Sequence, residues 1–195
     1  HPVHNGDFSD NGFLAGAEIP GLVSPGLPRA ARALSRRFGT ILSHGDGLDA
    51  GACLAAMVAE AVMLDDPRDI RRAVEAGLRA IPADGDCARL VRDTLAARDA
   101  SPTDWMPAWQ KIEAAARGAR PLCCDADARI NLAYIALALA AGGGDPGATL
   151  DLAARFGRDS AGNAAAAGGV LGALLGARPL ADALLPDGPP PGGLA

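Results

Sequence analysis

Aromatic residues are scarce in this sequence. Phe, Trp and Tyr make up 4% of the residues, whereas hydrophobic residues as a whole make up 49%, so the core must be built mainly from Ala, Leu, Val and Ile. Such small side chains suit closely packed helices and pack poorly on a pleated sheet. The sequence also lacks runs in which apolar and polar residues alternate, the pattern of a half-buried strand. We therefore predict an all-α fold, a compact multi-helix bundle with buried central helices.

Long hydrophobic runs and basic tracts are also missing. The two longest apolar runs, 132–144 and 164–177, are shorter than the ~18–20 residues that a membrane span needs, and no signal peptide is visible. The net charge is −5 and basic residues are concentrated only at 29–37. A phosphate-backbone partner is disfavoured, because that binding depends on cationic side chains. The sequence therefore predicts no membrane and no nucleic-acid partner.

The four cysteines lack the spacing of a zinc site. Cys53 and Cys87 are isolated, and the adjacent Cys123 and Cys124 do not form a Cys-x-x-Cys pair. We expect small buried side chains in a reducing compartment, and hence a cytoplasmic protein.

Turn residues and apolar periodicity divide the chain into three parts. We expect a flexible leader at 1–12, a helical domain at 13–180 and a Pro/Gly-rich tail at 181–195. Within the domain, first-turn prolines and apolar residues at helical spacing predict most of the helices. The predicted helices span 28–38, 48–64, 67–81, 84–98, 126–141, 145–156 and 163–177, with one more that follows Asp104.

Two stretches hold polar residues in positions suited to chemistry. The first is a Gly-rich loop at 43–47, which leads into a helix that is apolar on more than one face and is therefore central. The second is the polar loop 158–163, which opens a helix whose Gly168, Gly172 and Gly176 form one ridge. We interpret the ridge as a surface for close helix–helix approach that pins the preceding loop.

Asp159 and Ser160 lie at the N-terminus of this glycine-rich helix, with their oxygen atoms available. Such a pair can cap its helix. It can also present a carboxylate to Mg²⁺ or Mn²⁺, or let the helix N-terminus meet a phosphate group. The local residues leave these alternatives open.

The Gly-rich loop at 43–47 and the polar loop 158–163, each with the helix that follows it, resemble the ADP-ribosylglycohydrolase family, and within it the ADP-ribosyl-dinitrogen-reductase hydrolases. Residues 157–176 are similar to the family's C-terminal signature, a Gly-x-Asp-Thr/Ser-Asp run before an Ala-Gly-Gly/Ser-x-x-Gly-Ala helix. Residues 43–57 are similar to its Gly-Asn-Gly loop and central helix, and residues 75–109 to the middle of its longer bacterial members. The likeness runs from about Gly12 to Leu180.

The resemblance implies an all-α hydrolase that cleaves the glycosidic bond to ADP-ribose, or to a related ribosyl compound, using Mg²⁺ or Mn²⁺. The implied partner is an ADP-ribose-type small molecule or an ADP-ribosylated acceptor. Asp159 and Asp46 are the implied catalytic residues, and Asp46 stands where the family has Asn. Asp159 and Ser160 are the implied metal ligands. The implied substrate-binding residues are Ser43, His44, Gly45, Gly47 and Asn163.

Two departures from the family pattern concern the metal site. Ala161 stands where the family has its second signature aspartate, and a methyl group cannot bind a metal. The family's upstream acidic-acidic-Thr cluster has no counterpart before Asn11. We therefore expect a chain that lacks the N-terminal segment and part of the metal site. Asp65-Asp66 precedes a proline and is interpreted as a helix cap.

These departures leave two other functions open. A family member that has lost catalysis would serve as a binding or assembly module. A plain helical oligomerisation domain would use a second copy or a partner chain to cover exposed apolar helix faces.

Overall fold

The computed structural model describes residues 10–118 and 126–185. Within these two ranges it contains ten α-helices, two short 3-10 segments (Leu14–Gly16 and Pro67–Asp69) and no β-strand. The all-α prediction is confirmed. The helices are α1 (Glu18–Leu22), α2 (Pro28–Gly39), α3 (Gly45–Ala61), α4 (Ile70–Arg79), α5 (Asp86–Ala100), α6 (Met106–Gly118), α7 (Ala128–Gly142), α8 (Pro146–Arg155), α9 (Ser160–Leu175) and α10 (Ala177–Leu184).

Helices α3 and α7 form the centre of the structure. Every residue from Ala50 to Ala59 of α3 and from Ile130 to Leu139 of α7 is buried. A helix that is apolar all round has to be enclosed by other helices. Here α1, α2, α4 and α9 pack around α3, while α5, α6, α8 and α9 pack around α7. The prediction of a central helix after the Gly-rich loop is confirmed.

Glycines bring two of the enclosing helices to the backbone of α3. A Cβ atom on Gly77 of α4 would lie 2.8 Å from the carbonyl oxygen of Cys53 and 2.7 Å from Cγ of Met57. A Cβ atom on Gly21 of α1 would lie 2.5 Å from the carbonyl oxygen of Ala55. Any larger side chain at either position would push a neighbouring helix away from the core.

The glycine ridge of α9 does not approach a backbone in this way. A Cβ atom on Gly168 or Gly172 would meet only the tip of Leu150 or of Leu180, each at 3.3 Å. Gly176 is not part of the helix but its C-cap, with φ of +79°. The predicted helix–helix approach exists, since α9 packs on α8, but at Gly168 and Gly172 the ridge meets leucine side chains and not a backbone. The loop before α9 must therefore be held by other residues.

The two helices that the sequence did not predict both contain a proline in their first turn. Pro20 is the third residue of α1, and Pro179 is the third residue of α10. The backbone N–H groups of the first turn have no partner within the helix, so proline is tolerated there. The residues Ile19-Pro20-Gly21 have the composition of a turn but form part of α1, and α10 extends beyond the predicted boundary at residue 180.

Two further expectations concern cysteines and hydrophobic helices. Cys53 and Cys87 are buried and unpaired, as predicted, and burial raises the pKa of both thiols. Cys123 and Cys124 lie outside the described residues. Among the helices of the described ranges, none has the length and hydropathy required to cross a bilayer.

Replacing Gly77 with alanine should lower the free energy of unfolding by about 2 kcal/mol, even though Gly→Ala in a helix normally adds about 0.5–1 kcal/mol. The added Cβ atom would press on the Cys53 carbonyl oxygen, which cannot move without distorting α3. Urea denaturation measures the change. Gly168→Ala is the matched control and should be neutral or stabilising, because the tip of Leu150 can rotate away. Equal losses in both variants would contradict the packing described here.

Candidate functional site

The N-termini of α3, α5 and α7 meet around one guanidinium group. Arg129 Nη2 lies 2.6 Å from Asp127 Oδ2, Nη1 lies 3.6 Å from Asp86 Oδ2, and Nε lies 3.8 Å from Asp46 Oδ2. Asp46 and Asp86 belong to the first turns of α3 and α5, and Asp127 is the N-cap of α7. The thiol of Cys87 also donates to the Asp46 carbonyl oxygen at 3.5 Å. We call Arg129 and these three aspartates the Arg129 cluster.

Asp46 is the least compensated carboxylate of the Arg129 cluster. Burial raises its pKa, and the charges of Asp86, Asp127 and Asp49 raise it further, while Arg129 acts in the opposite direction. Its side chain keeps 19% of its surface exposed, so solvent can reach it. A reachable carboxyl group with a raised pKa is a candidate for proton transfer.

The rest of the Gly-rich loop shapes the start of α3. Gly45 has φ of +49°, a conformation that favours glycine. Ser43 is buried at 1% exposure, and its N–H donates to Gly39 O at 2.8 Å. His44 is the extended N-cap residue and accepts from the N–H of Gly47 at 3.0 Å. These contacts account for the conformation of the loop, and the substrate-binding roles of its residues stay predictions.

A second group of polar residues surrounds Asp159, the N-cap of α9. Its Oδ1 accepts from the N–H of Gly162 at 3.0 Å, and its Oδ2 accepts from Asn11 Nδ2 at 2.7 Å. One turn into α9, Asn163 Nδ2 donates to Asn131 Oδ1 of α7 at 2.9 Å, and both amides are buried. We call Asp159, Asn11, Asn131 and Asn163 the Asp159 cluster. At 1% exposure, Asn163 has almost no surface to offer a substrate.

Residues 10–12, which we had assigned to the leader, connect the two clusters. The N–H of Asn11 donates to Ala126 O at 2.7 Å, and Asp10 pairs with Asp127 in an isolated antiparallel bridge. This segment therefore links the two clusters. The side chain of Asn11 binds Asp159, and Asp10 pairs with Asp127, the N-cap that binds Arg129. Asn11 was missed as a site residue because its contacts with Asp159 and Ala126 span more than 100 positions, which no local pattern reveals.

The two predicted catalytic carboxylates lie in neighbouring clusters and do not share a direct contact. Asp46 contacts Arg129, and Asp159 contacts Asn11 and Gly162. A cavity of about 250 Å³ lies on the Arg129 side, between α5, α6 and α7. Its lining residues are Asp86, Arg89, Leu90, Asp93, Ala115, Arg129 and Ile130, and so it does not extend to Asp159.

The expected metal site was tested against these contacts. Within residues 10–118 and 126–185, no group of three His, Cys, Asp or Glu side chains lies close enough together to hold a metal ion. Both oxygens of Asp159 already accept hydrogen bonds, and Ala161 provides no ligand. A hard divalent ion needs several oxygen ligands, so the described residues alone do not fit a Mg²⁺ or Mn²⁺ site.

A third network holds the loop that carries Asp159. Arg158 Nε and Nη2 donate to Glu113 Oε1 and Oε2, each at 3.1 Å. The hydroxyl group of Tyr134, on α7, donates to the same Oε1. Burial acts to raise the pKa of Glu113, but the bonds from Arg158 and Tyr134 lower it overall. No local sequence pattern predicts this network, because Glu113 has the spacing and polarity of an ordinary surface residue on α6.

Replacing Glu113 with glutamine should lower the free energy of unfolding by about 2 kcal/mol at pH 7, since charge-assisted bonds to two partners are lost. The folded-state pKa of Glu113 lies below the ordinary value of a glutamate. Its stabilisation is therefore fully present above the unfolded-state pKa and is lost as the pH falls through the folded-state pKa. The difference between wild type and variant should accordingly shrink on acidification, as urea melts between pH 7 and pH 3 would show. Asp151→Asn, which removes an exposed partner of Arg155, should change stability by less than about 0.5 kcal/mol; a similar loss there would contradict the assignment.

Comparison with known proteins adds the family. No curated protein and no solved structure gives a significant match to the chain. A family model described as ADP-ribosylglycohydrolase matches residues 2–186, a range that includes both clusters and all ten helices. With the all-α fold and the capped α9 helix already established, the chain belongs to the ADP-ribosylglycohydrolase family.

Proposed function

We propose that the protein hydrolyses the glycosidic bond between ADP-ribose, or a related ribosyl compound, and an acceptor group. The family match supports a hydrolase of this general kind. The observation that carries the finer proposal is the position of Asp46, a reachable carboxyl group with a raised pKa in the first turn of the central helix α3. The Asp159 cluster is linked to the Arg129 cluster through Asn11, which binds Asp159 and donates to Ala126 O, next to Asp127.

Hydrolysis of a glycosidic bond requires one group to handle the proton of the water or of the leaving group. Asp46 suits this task, because its raised pKa brings its protonated and ionised forms closer in free energy at neutral pH. Asp159 instead uses both oxygens to hold α9 and Asn11. We assign it the role of fixing the second wall of the site, on which Ser160 is the first helical residue.

The charge around the site bears on the proposed cofactor. The two clusters contain four aspartates and a single arginine, so a diphosphate bound beside them would be repelled unless a cation accompanied it. Charge balance thus favours Mg²⁺ or Mn²⁺, whereas the donor set of the described residues disfavours them. We keep divalent metal dependence, with Asp159 and Ser160 as ligands, as a proposal that the assay below tests.

The experiment is release of ADP-ribose from an ADP-ribosylated peptide, measured with Mg²⁺, with Mn²⁺ and with EDTA. Wild type should release ADP-ribose, and Asp46→Asn should reduce turnover by about 10²–10⁴-fold, the usual contribution of a general acid or base. Asp151→Asn, which removes an exposed carboxylate of α8 outside both clusters and the cavity, is the control and should retain full turnover. Release in EDTA that equals release with Mg²⁺ would remove the metal from the proposal while leaving Asp46 in it.

Asp46→Asn also has an expected effect on stability. Because the folded-state pKa of Asp46 is raised, its contribution to stability is fully present below the unfolded-state pKa and is lost as the pH rises through the folded-state pKa. The variant should therefore gain stability relative to wild type as the pH rises from the unfolded-state pKa through the folded-state pKa, which urea melts over a pH series measure. The opposite trend would mean that the Arg129 contact outweighs burial.

Loss of catalysis is the competing hypothesis, favoured by Ala161 and by the incomplete donor set. It predicts that wild type binds ADP-ribose, which raises the melting temperature, without releasing any from a modified peptide. Turnover that disappears in Asp46→Asn rules this hypothesis out.

Self-association also stays a proposal. Large apolar side chains are exposed along α1, the following turn and the end of α3, namely Ile19, Leu22, Val23, Leu27 and Met63. Exposed apolar patches of this kind are typical of protein interfaces. Light scattering after size exclusion should show a dimer that Leu22→Asp dissociates. Ile41→Asp, at a more exposed position after α2, should leave it intact, and a concentration-independent monomer would refute the proposal.

A further inference from the structure

The loop between α8 and α9 contains two consecutive residues with positive φ. Gly157 has φ of +92°, and Arg158 has φ of +57°. Arg158 is the only non-glycine residue with positive φ among the described residues. A side chain is disfavoured in this conformation, so contacts of the Arg158 side chain must compensate for its backbone.

Those contacts come from two helices of the core. The guanidinium group binds Glu113 of α6 through two parallel hydrogen bonds, and Glu113 also accepts from Tyr134 of α7. The side chains of Arg158 and Glu113 are 14% and 15% exposed, and Tyr134 is fully buried. A paired arrangement of this kind has little freedom to rotate or to exchange with water.

The residue before this loop is held by the same face of α6. Trp109 precedes Glu113 by one helical turn, and its Nε1 donates to Phe156 O at 3.0 Å. The Phe156 ring packs against Trp105 and Tyr134, at centroid distances of 5.2 and 5.7 Å. One face of α6 therefore fixes Phe156 and Arg158, and Asp159 is the next residue in the chain.

We propose that Arg158, held by Glu113 and Tyr134, is the positioning residue that places the Asp159 carboxylate. It does so by fixing the backbone immediately before the α9 cap, a task that the glycines of α9 do not perform. The proposal rests on the function proposed above only in that Asp159 forms a wall of the site. It assigns no contact with substrate to Arg158 itself.

The test compares Arg158→Gln, Arg158→Lys and Glu113→Gln with Arg155→Gln. Arg155 lies three residues earlier and forms an exposed ion pair with Asp151, so its loss changes charge without touching the network. Hydrogen exchange of the Gly162 amide, which the Asp159 carboxylate protects, reports on the placement of Asp159 in the free protein. Affinity for ADP-ribose, measured by calorimetry, reports on the site.

Arg158→Gln and Glu113→Gln should speed exchange at Gly162 by about tenfold, while the amides of α3 exchange as in wild type. ADP-ribose affinity should fall by about tenfold in the same two variants, and Arg158→Lys should recover part of both effects. Arg155→Gln should match wild type. The double variant Glu113→Gln with Arg158→Gln should be no worse than either single one, since the two residues act as a pair.

Unchanged exchange at Gly162 would overturn the proposal. A uniform rise of exchange throughout the protein would overturn it too, because the network would then contribute only to global stability. Faster exchange at Gly162 with unchanged ADP-ribose affinity would support the placement of Asp159 by Arg158 and overturn the claim that Asp159 forms a wall of the site. If wild type bound no ADP-ribose, the proposed function would fail, and the exchange pattern would still decide whether Arg158 places Asp159.

Discussion

Enclosure of α3 by other helices is the constraint on which the rest of the structure depends. Its middle ten residues are all buried, and Gly77 and Gly21 let α4 and α1 approach its backbone closely. Because α3 is enclosed on every side, its N-terminus can emerge only where neighbouring helices also end. The Gly-rich loop and Asp46 lie at that point, next to the first turns of α5 and α7.

Where several helix N-termini meet, their partial positive charges add, and aspartates balance these charges. Each N-terminus carries partial positive charge from its free N–H groups, and Asp127 and Asp159 satisfy two such ends as N-caps. The carboxylates then repel one another, and Arg129 relieves only part of this repulsion. Burial of Asp46 raises its pKa and so disfavours its ionised form. A residue kept in a position that costs stability is characteristic of a functional site.

The two polar groups that involve α7 have different roles: one is proposed to act in function and the other stabilises the fold. On one side, the Arg129 cluster leaves a carboxylate reachable and incompletely compensated. On the other, Glu113, Tyr134 and Arg158 form a well-paired network that is mostly closed to water. The second arrangement can hold a loop with unfavourable backbone angles, whereas the first retains chemical reactivity.

The helical fold, the central position of α3 and the position of Asp159 at a helix N-terminus could all be predicted from the amino-acid sequence. These follow from short-range patterns, since apolar spacing, first-turn prolines and capping residues act within a few positions along the chain. Local rules also misled, because Pro20 suggested a turn where α1 forms.

Which polar side chains come into contact depends on the tertiary packing of the helices. Asn11 binds Asp159 across 148 positions, Arg158 binds Glu113 across 45, and Arg129 gathers aspartates from three helices. The physical reason is that a side-chain contact between distant segments depends on how whole helices pack, and packing is set by the sum of many small apolar contacts. A local residue pattern therefore does not predict how whole helices pack.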